Sequence, residues 1–291
     1  MAGTKYAYVK NFELPDALLP GTYIVLRIDG HGFHRFSQEH GFTKPNDERA
    51  LQLMDHAAQA VMHEFKDIVL AYGESDEYSF LFRKSTTVYN RRHAKILSTV
   101  TSLFTAAYVL NWTTYLPDTP LKSPPSFDGR VVLYPSAQEV RDYFSWRQAD
   151  THINNLYNTV FWALVQQGGE TTAQAHATLR GTVSKTKHEI LFSRFKINYN
   201  DVPERFRKGS VLLRDEIGEE QRLPKASAQT GGSDAVEQPE KSGEDEGASS
   251  VEHAQPKLKA ARKKKSSSSV VLLHCDVIAR EFWDTRPWLL Q

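Results

Sequence analysis

A single cysteine, Cys275, in 291 residues gives no intramolecular disulfide and no thiolate set for a metal. Long apolar runs are missing as well: nothing approaches the ~18 to 20 residues of a membrane-spanning helix. The opening Met1-Ala2-Gly3-Thr4-Lys5-Tyr6 has neither the apolar centre of a signal peptide nor the arginine-rich pattern of a transit peptide. These absences predict a cytosolic or nuclear chain with no membrane partner. Charge of one sign is also lacking. The net value is +1, so a nucleic-acid partner must be sought in local patches. There is no Walker-type glycine-rich loop, no Cys/His cluster and no Gly-x-Ser-x-Gly elbow, which removes P-loop, zinc and α/β-hydrolase chemistries.

What is present is enough apolar material for a core, 40% of residues with 15 Phe. Residues 22–29 read as a strand from their β-branched and aliphatic content. Asn46 or Asp47 caps a helix to about Lys66, with Leu51, Met54, Ala58, Val61, Met62 and Phe65 at helical spacing. Residues 68–72 and 77–83 form a hairpin around Gly73. A second long helix covers 88–112, prolines 117, 120, 124 and 125 mark a loop, and 129–134 give a further strand. The order β-α-β-β-α-β is the split ferredoxin-like arrangement, an α+β fold with an antiparallel sheet.

The spacing predicts a ferredoxin-like sheet domain over 1–135 and a helical region over 136–220. Ser136-Ala137-Gln138-Glu139 has the form of a capping box. It starts a helix to about Arg147, and separate helices are expected over 154–166, 172–180 and 184–192. Residues 221–268 are rich in Ser, Gly, Ala, Glu and Lys and poor in large apolar side chains, the composition of a disordered insertion. Its basic run Arg262-Lys263-Lys264-Lys265 reads equally as an RNA contact, a nuclear import signal or solvated chain. Residues 269–291 resume ordered character and dock back on the fold.

The chemistry points to two aspartates. Asp29 ends the first strand, before Gly30-His31-Gly32-Phe33-His34. Asp76 sits in Gly73-Glu74-Ser75-Asp76-Glu77. In the ferredoxin-like order the first and third strands are neighbours, which brings the two carboxylates together. Such a pair suits Mg²⁺, a hard cation that shares oxygen ligands with substrate phosphates, and serves a two-metal transfer of nucleotides. Asp29-Gly30 alone is usually a turn, but here it closes a strand. The Gly30 carbonyl is a further ligand candidate, and the amides of 30–34 a phosphate nest. Three acids in five residues repel one another unless a cation lies near. His152-Ile153-Asn154-Asn155-Leu156-Tyr157-Asn158 is dense in planar polar groups, which fits recognition of bases or phosphates and a polar helix start equally well. Lys185-Thr186-Lys187-His188 is compact enough for a triphosphate. Lys44 and Lys95 are further basic candidates.

The Asp29–His34 segment, the Ser75-Asp76-Glu77 turn and the His152–Asn158 string together resemble the tRNA-histidine guanylyltransferases of eukaryotic type, over 1–220 and again near 270–291. The resemblance implies a palm similar to that of DNA polymerases that adds nucleotides in the 3′-to-5′ direction. ATP adenylylates the 5′-phosphate of tRNA-His, the GTP 3′-hydroxyl displaces AMP, and removal of pyrophosphate leaves a guanosine at position −1. Asp29, Gly30 and Asp76 would hold two Mg²⁺, and Asp29, Gly30, His31, Gly32, Phe33, His34, Ser75 and Asp76 would line the nucleotide site. His31 and Gly32 carry no catalytic role. Arg27, Lys44, Lys95, His152, Asn155, Lys187 and Asn198 are candidates for triphosphate or tRNA contacts, and a homotetramer is expected. Two other readings share parts of the pattern. A palm-fold nucleotide cyclase would explain the acidic hairpin but not the 152–158 string, and a non-catalytic tRNA-binding protein would need neither aspartate.

Overall fold

The computed structural model describes residues 4–215 and 269–291; the expected disordered insertion and its basic run lie outside the described residues. Six strands form one antiparallel sheet: β1 Tyr23–Gly30, β2 Ile68–Glu74, β3 Glu77–Phe82, β4 Phe127–Tyr134, β5 Ser210–Asp215 and β6 Ser269–Leu273. Their order is β4-β1-β3-β2-β5-β6. The first four have the expected ferredoxin-like order, with β1 central between β4 and β3. The α+β expectation holds. No helix among the described residues is long and apolar enough to cross a membrane.

The pleat sends alternate residues to opposite faces. Ile24, Leu26 and Ile28 of β1, with Tyr78, Phe80 and Phe82 of β3, pack under α2 (Glu48–Glu64) and α3 (His93–Leu110). Tyr23 and Val25 face the other way, against the start of α5 (Ala137–Gln166) and the C-terminal Phe282, Trp283 and Leu289. The Asp47 carboxylate caps α2 by accepting from the Arg49 N–H. A short helix α1 (Phe33–Glu39) and a one-turn α4 (Trp112–Tyr115) flank them. Two more helices, α6 (Thr172–Leu179) and α7 (Ser184–Phe195), gather beside the second half of α5; α8 (Glu204–Lys208) is bonded to Gln148 of α5 through the Lys208 carbonyl, and α9 (Arg280–Asp284) lies near the C-terminus.

Several expected boundaries move. The hairpin turn is Ser75-Asp76, not Gly73, which remains inside β2 because the Tyr78 ring lies over it; a Cβ there would fall 2.3 Å from that ring. The long helix expected over 88–112 begins only at His93, since Tyr89, Asn90 and Arg91 have left-handed backbone. It ends at Leu110. The helices expected at 136–147 and 154–166 are one helix of 30 residues, opened by the expected capping box. Between them the apolar periodicity lapses. Arg147, Gln148, Thr151 and Asn155 are buried there instead, and their hydrogen bonds replace apolar contacts. Strand β5 was not anticipated, because a short apolar run among charges has no distinctive period.

Gly209 joins α8 to β5 with φ +76°, and a Cβ there would lie 2.6 Å from the Gly73 carbonyl oxygen and 2.7 Å from the Tyr72 hydroxyl. Neither can yield, since one is sheet backbone and the other donates to the Lys208 carbonyl at 2.8 Å. Gly209→Ala is expected to cost about 2–4 kcal/mol, combining left-handed strain with overpacking. Urea midpoints check this, and a loss below about 1 kcal/mol would contradict it.

Candidate active site at the β1 end and the β2–β3 turn

Asp29 lies opposite Glu77 of β3 and Asp128 of β4, and Glu77 lies opposite Glu74 of β2. Directly opposed residues share a face. Asp128, Asp29, Glu77 and Glu74 therefore form a row of four carboxylates across one end of the sheet. Arg27 lies opposite Ser79 and Arg130 in the row two residues further in. Such a row is tenable only with cations beside it.

Asp76 reaches this row through the turn. The Gly30 N–H donates to the Asp76 carbonyl at 3.0 Å, stitching the end of β1 to the turn. Ser75, with φ 49°, donates its hydroxyl to Asp76 Oδ1 at 2.9 Å. Asp76 Oδ2 stands beside Gly30, so close that a Cβ on Gly30 would be 2.9 Å from it. Burial holds the Asp76 carboxyl above its ordinary range; the Ser75 hydrogen bond opposes this, Asp29 pushes the same way, and Lys44 acts in the opposite sense. The Asp76 carboxylate thus lies against Gly30 and within reach of the Asp29 charge, where the ionised form lacks a full counter-charge. That donor set fits a hard divalent ion whose remaining ligands come from water and phosphate. Among the described residues no three His, Cys, Asp or Glu side chains form a closed metal cage.

The remaining expected residues divide. Phe33 is buried, packs against Phe36 and Phe127 at 4.8 Å between ring centroids in each case, and also lines the groove shared by His34 and Lys44. His31 and Gly32 are exposed. The Gly30 and His31 amides are already bonded to Asp76 and Ser126, leaving 32–34 at the start of α1 as the rest of the expected nest. His34, Lys44, Ser75 and Asp76 line a groove of about 930 Å³, which continues to Asn154, Asn155, Tyr157 and Asn158 of α5 and to Arg205 and Phe206. Arg27 pairs with Glu77, Nε to Oε2 3.5 Å.

Asn155 is buried in the frame of the groove: it donates to Asn46 Oδ1 at 3.0 Å and accepts from the Tyr199 hydroxyl at 3.0 Å. His152 and His188 meet the Tyr199 ring edge-on at 5.4 and 5.3 Å, beside Lys187 and Asn198, but outside the groove lining. Burial, aided by His188 and Arg207, holds His152 below its usual pKa. The Lys187 amine donates to the Thr182 carbonyl at 2.8 Å, and Asn198 caps the turn at Tyr199–Asp201. Lys95 is not brought to the site. It lies one turn into α3, whose beginning is tied to Thr22 ahead of β1 through Arg91, whereas Tyr108 near the other end of α3 feels the Asp76 charge.

Sequence reasoning missed Arg147 and left Glu74 and Glu77 without a role. Burial pushes Glu74 up to about 7, against the opposing Thr151 hydrogen bond, with Glu77 adding to the rise and Arg147 opposing it. The folded chain therefore holds this proton more tightly than the unfolded chain. Without metal, stability conferred by the protonated form is present below about 4.5 and is lost as pH rises through about 7. In EDTA, Glu74→Gln is expected to gain up to about 3 kcal/mol over wild type at pH 8 and little at pH 5. Urea midpoints at the two pH values check it; an equal difference at both would contradict it.

Comparison with known proteins is consistent along the whole chain. A family model described as tRNAHis guanylyltransferase matches residues 6–135, and one described as Thg1 C terminal domain matches 138–279. The tRNA(His) guanylyltransferase of Neurospora crassa is 51% identical over 100% of this chain and 96% of its own length. That of Schizosaccharomyces pombe is 50% identical over 99% and 98%. The crystal structure of the Saccharomyces cerevisiae enzyme superposes with a TM-score of 0.70 at 50% identity, covering 72% of this chain and 93% of that one. A bacterial Thg1-like protein in complex with ATP gives 0.59 at 26% identity, covering 74% and 86%. With both family models matched and half of all positions shared along its full length, this chain belongs to the tRNAHis guanylyltransferase family.

Proposed function

We propose that this chain adds a guanosine to the 5′ end of tRNA-His, at position −1, and that Asp29, the Gly30 carbonyl and Asp76 form its reaction centre. The observation that supports the reading is the Asp76 carboxylate, which lines a groove large enough for a nucleotide and an RNA end, stands beside Gly30 and feels the charge of the neighbouring Asp29. The reaction has three parts. The tRNA 5′-phosphate attacks the α-phosphate of ATP and expels pyrophosphate; the GTP 3′-hydroxyl then attacks the activated 5′-phosphate and expels AMP; hydrolysis finally removes pyrophosphate from the added nucleotide.

Asp29, Gly30 and Asp76 would hold two Mg²⁺, which when bound would neutralise charge on the attacking and leaving oxygens. The first-turn amides of α1 at residues 32–34 lack intrahelical partners and suit phosphate oxygens. Lys44, whose amine donates to Ser37 Oγ at 3.1 Å, supplies positive charge on the groove side of Asp76. His152, Lys187 and Asn198, gathered around Tyr199, suit the tRNA 5′ end or a triphosphate, and Asn155 frames the groove between them and Asn46. No side-chain nucleophile is required. Residues 1–135 carry the chemistry, 136–220 complete the nucleotide and tRNA site, and 269–291 dock back on the fold. A cytosolic or nuclear homotetramer that shares one tRNA among subunits accords with a net charge of only +1 per chain.

Incubation of 5′-monophosphorylated tRNA-His with ATP, Mg²⁺ and labelled GTP tests the reading, with other tRNAs in parallel. Label is expected on tRNA-His alone. Equal labelling of every tRNA, or a cyclic product from GTP without tRNA, would refute it.

A further inference from the structure

The turn that presents Asp76 has two acidic stems. Glu74 closes β2, Glu77 opens β3, and the two lie directly opposite each other with only Ser75 and Asp76 between them. Both are largely buried, with side chains 10% and 12% exposed. Two buried carboxylates at the base of a two-residue turn repel and tend to splay it, and Ser75 already has positive φ. One side chain spans them. Arg147 Nη1 lies 3.2 and 3.3 Å from Glu77 Oε1 and Oε2 and 3.5 Å from Glu74 Oε1. Its Nη2 donates to Asp150 Oδ2 at 3.2 Å, one turn along α5.

The guanidinium is fixed from several sides. Arg147 is only 4% exposed, and its Cζ lies 3.5 Å from the centre of the Trp146 ring, so it is stacked as well as paired. Its backbone carbonyl accepts from the Thr151 hydroxyl, which bonds the Tyr72 hydroxyl at 2.7 Å, two residues before Glu74. Arg147 is held at both ends to the strand that leads into the turn. Arg27 pairs with Glu77 at 3.5 Å, whereas Arg147 lies within ion-pair distance of both stems. Bridging the stems is thus a task Arg147 performs among the described residues.

We infer that Arg147 is a positioning residue for Asp76: by bridging Glu74 and Glu77 it sets the turn that holds the Asp76 carboxylate beside Gly30, within reach of the Asp29 charge. Arg147 touches neither Asp29 nor Asp76. It acts through the stems, and the inference rests on the function proposed above. A guanidinium engages two carboxylates through several fixed N–H vectors, whereas an ammonium is a single point of charge. Arg147→Lys should therefore retain the neutralisation and lose the geometry.

The test uses the full chain and two variants, Arg147→Met and Arg147→Lys, at a temperature where thermal denaturation shows each folded. Mn²⁺ affinity is read by electron paramagnetic resonance with GTP present and no tRNA, alongside kcat and KM for tRNA-His. Arg147→Met is expected to weaken Mn²⁺ binding about tenfold and lower kcat about 100-fold, with KM for tRNA within threefold. Arg147→Lys is expected between Met and wild type on both measures. Unchanged Mn²⁺ affinity in Arg147→Met would overturn the inference, as would a loss confined to KM for tRNA. A lysine variant equal to wild type on both measures would also overturn it, because charge alone would then suffice and the bridging geometry would contribute nothing. If wild type itself fails to extend tRNA-His, the proposed function fails; the Mn²⁺ comparison still decides the role of Arg147.

Discussion

Asp76→Asn should leave the chain folded and tRNA-bound while lowering nucleotide addition by about 10³-fold or more, the scale on which lost metal-based charge stabilisation is felt. Burial and Asp29 both disfavour the charged form of Asp76. The amide relieves that repulsion, so metal-free stability should hold or rise by roughly 1 kcal/mol. The Gly30 N–H contacts the Asp76 main-chain carbonyl, so the tie between β1 and the turn survives the substitution. Binding of tRNA should change little, because RNA affinity rests on phosphate and base contacts spread over the groove and the helical region. Single-turnover rates, tRNA titration and urea midpoints separate these effects. Asp29→Asn should behave alike. A variant that keeps a tenth of wild-type addition would contradict the assignment.

Gly30→Ala should be nearly as damaging, for steric reasons. A Cβ there would stand 2.4 and 2.5 Å from two atoms of the Phe33 ring and 2.9 Å from Asp76 Oδ2. Phe33 cannot swing away, since it is buried among Phe36, Tyr108 and Phe127. The strain must therefore move the start of α1 or the Asp76 carboxylate, both part of the site. A loss of about 1–3 kcal/mol in stability is expected from overpacking, with a fall of about 10²-fold in kcat, since misplacement by an ångström costs that much. Gly32→Ala is the control: no heavy atom lies within 4 Å of its Cβ position, and only the left-handed backbone, φ 68°, resists. Gly30→Ala activity within threefold of wild type would show that the close approach is not needed.

Much of this site could be read from sequence because its parts lie at strand ends. Tyr23–Ile28 reads as a strand without ambiguity, and Asp29-Gly30 follows at once. The β-α-β-β-α-β order then makes β1 and β3 neighbours, whatever the loop details. What escaped detection depends on tertiary burial of polar groups. Arg147 falls where apolar periodicity fades, and nothing local marks an arginine that will be enclosed by Glu74, Glu77 and Trp146. The continuous course of α5 was hidden for the same reason, through Gln148, Thr151 and Asn155. Gly73 looked like a turn residue because an aromatic ring placed over its Cα by the facing strand cannot be seen in the local string. Lys95 shows the same limit: its charge is legible in the sequence, but its place at the start of α3, the end away from Tyr108, is not.

The most direct measurement is the 5′ end of tRNA-His after incubation with ATP, GTP and Mg²⁺, read by sequencing for wild type and Asp76→Asn. One added guanosine with wild type, and an unchanged end with the variant, is the expected result. Equal addition by both, or no addition by wild type, would contradict the claim that Asp29 and Asp76 form a centre for 3′-to-5′ guanosine addition.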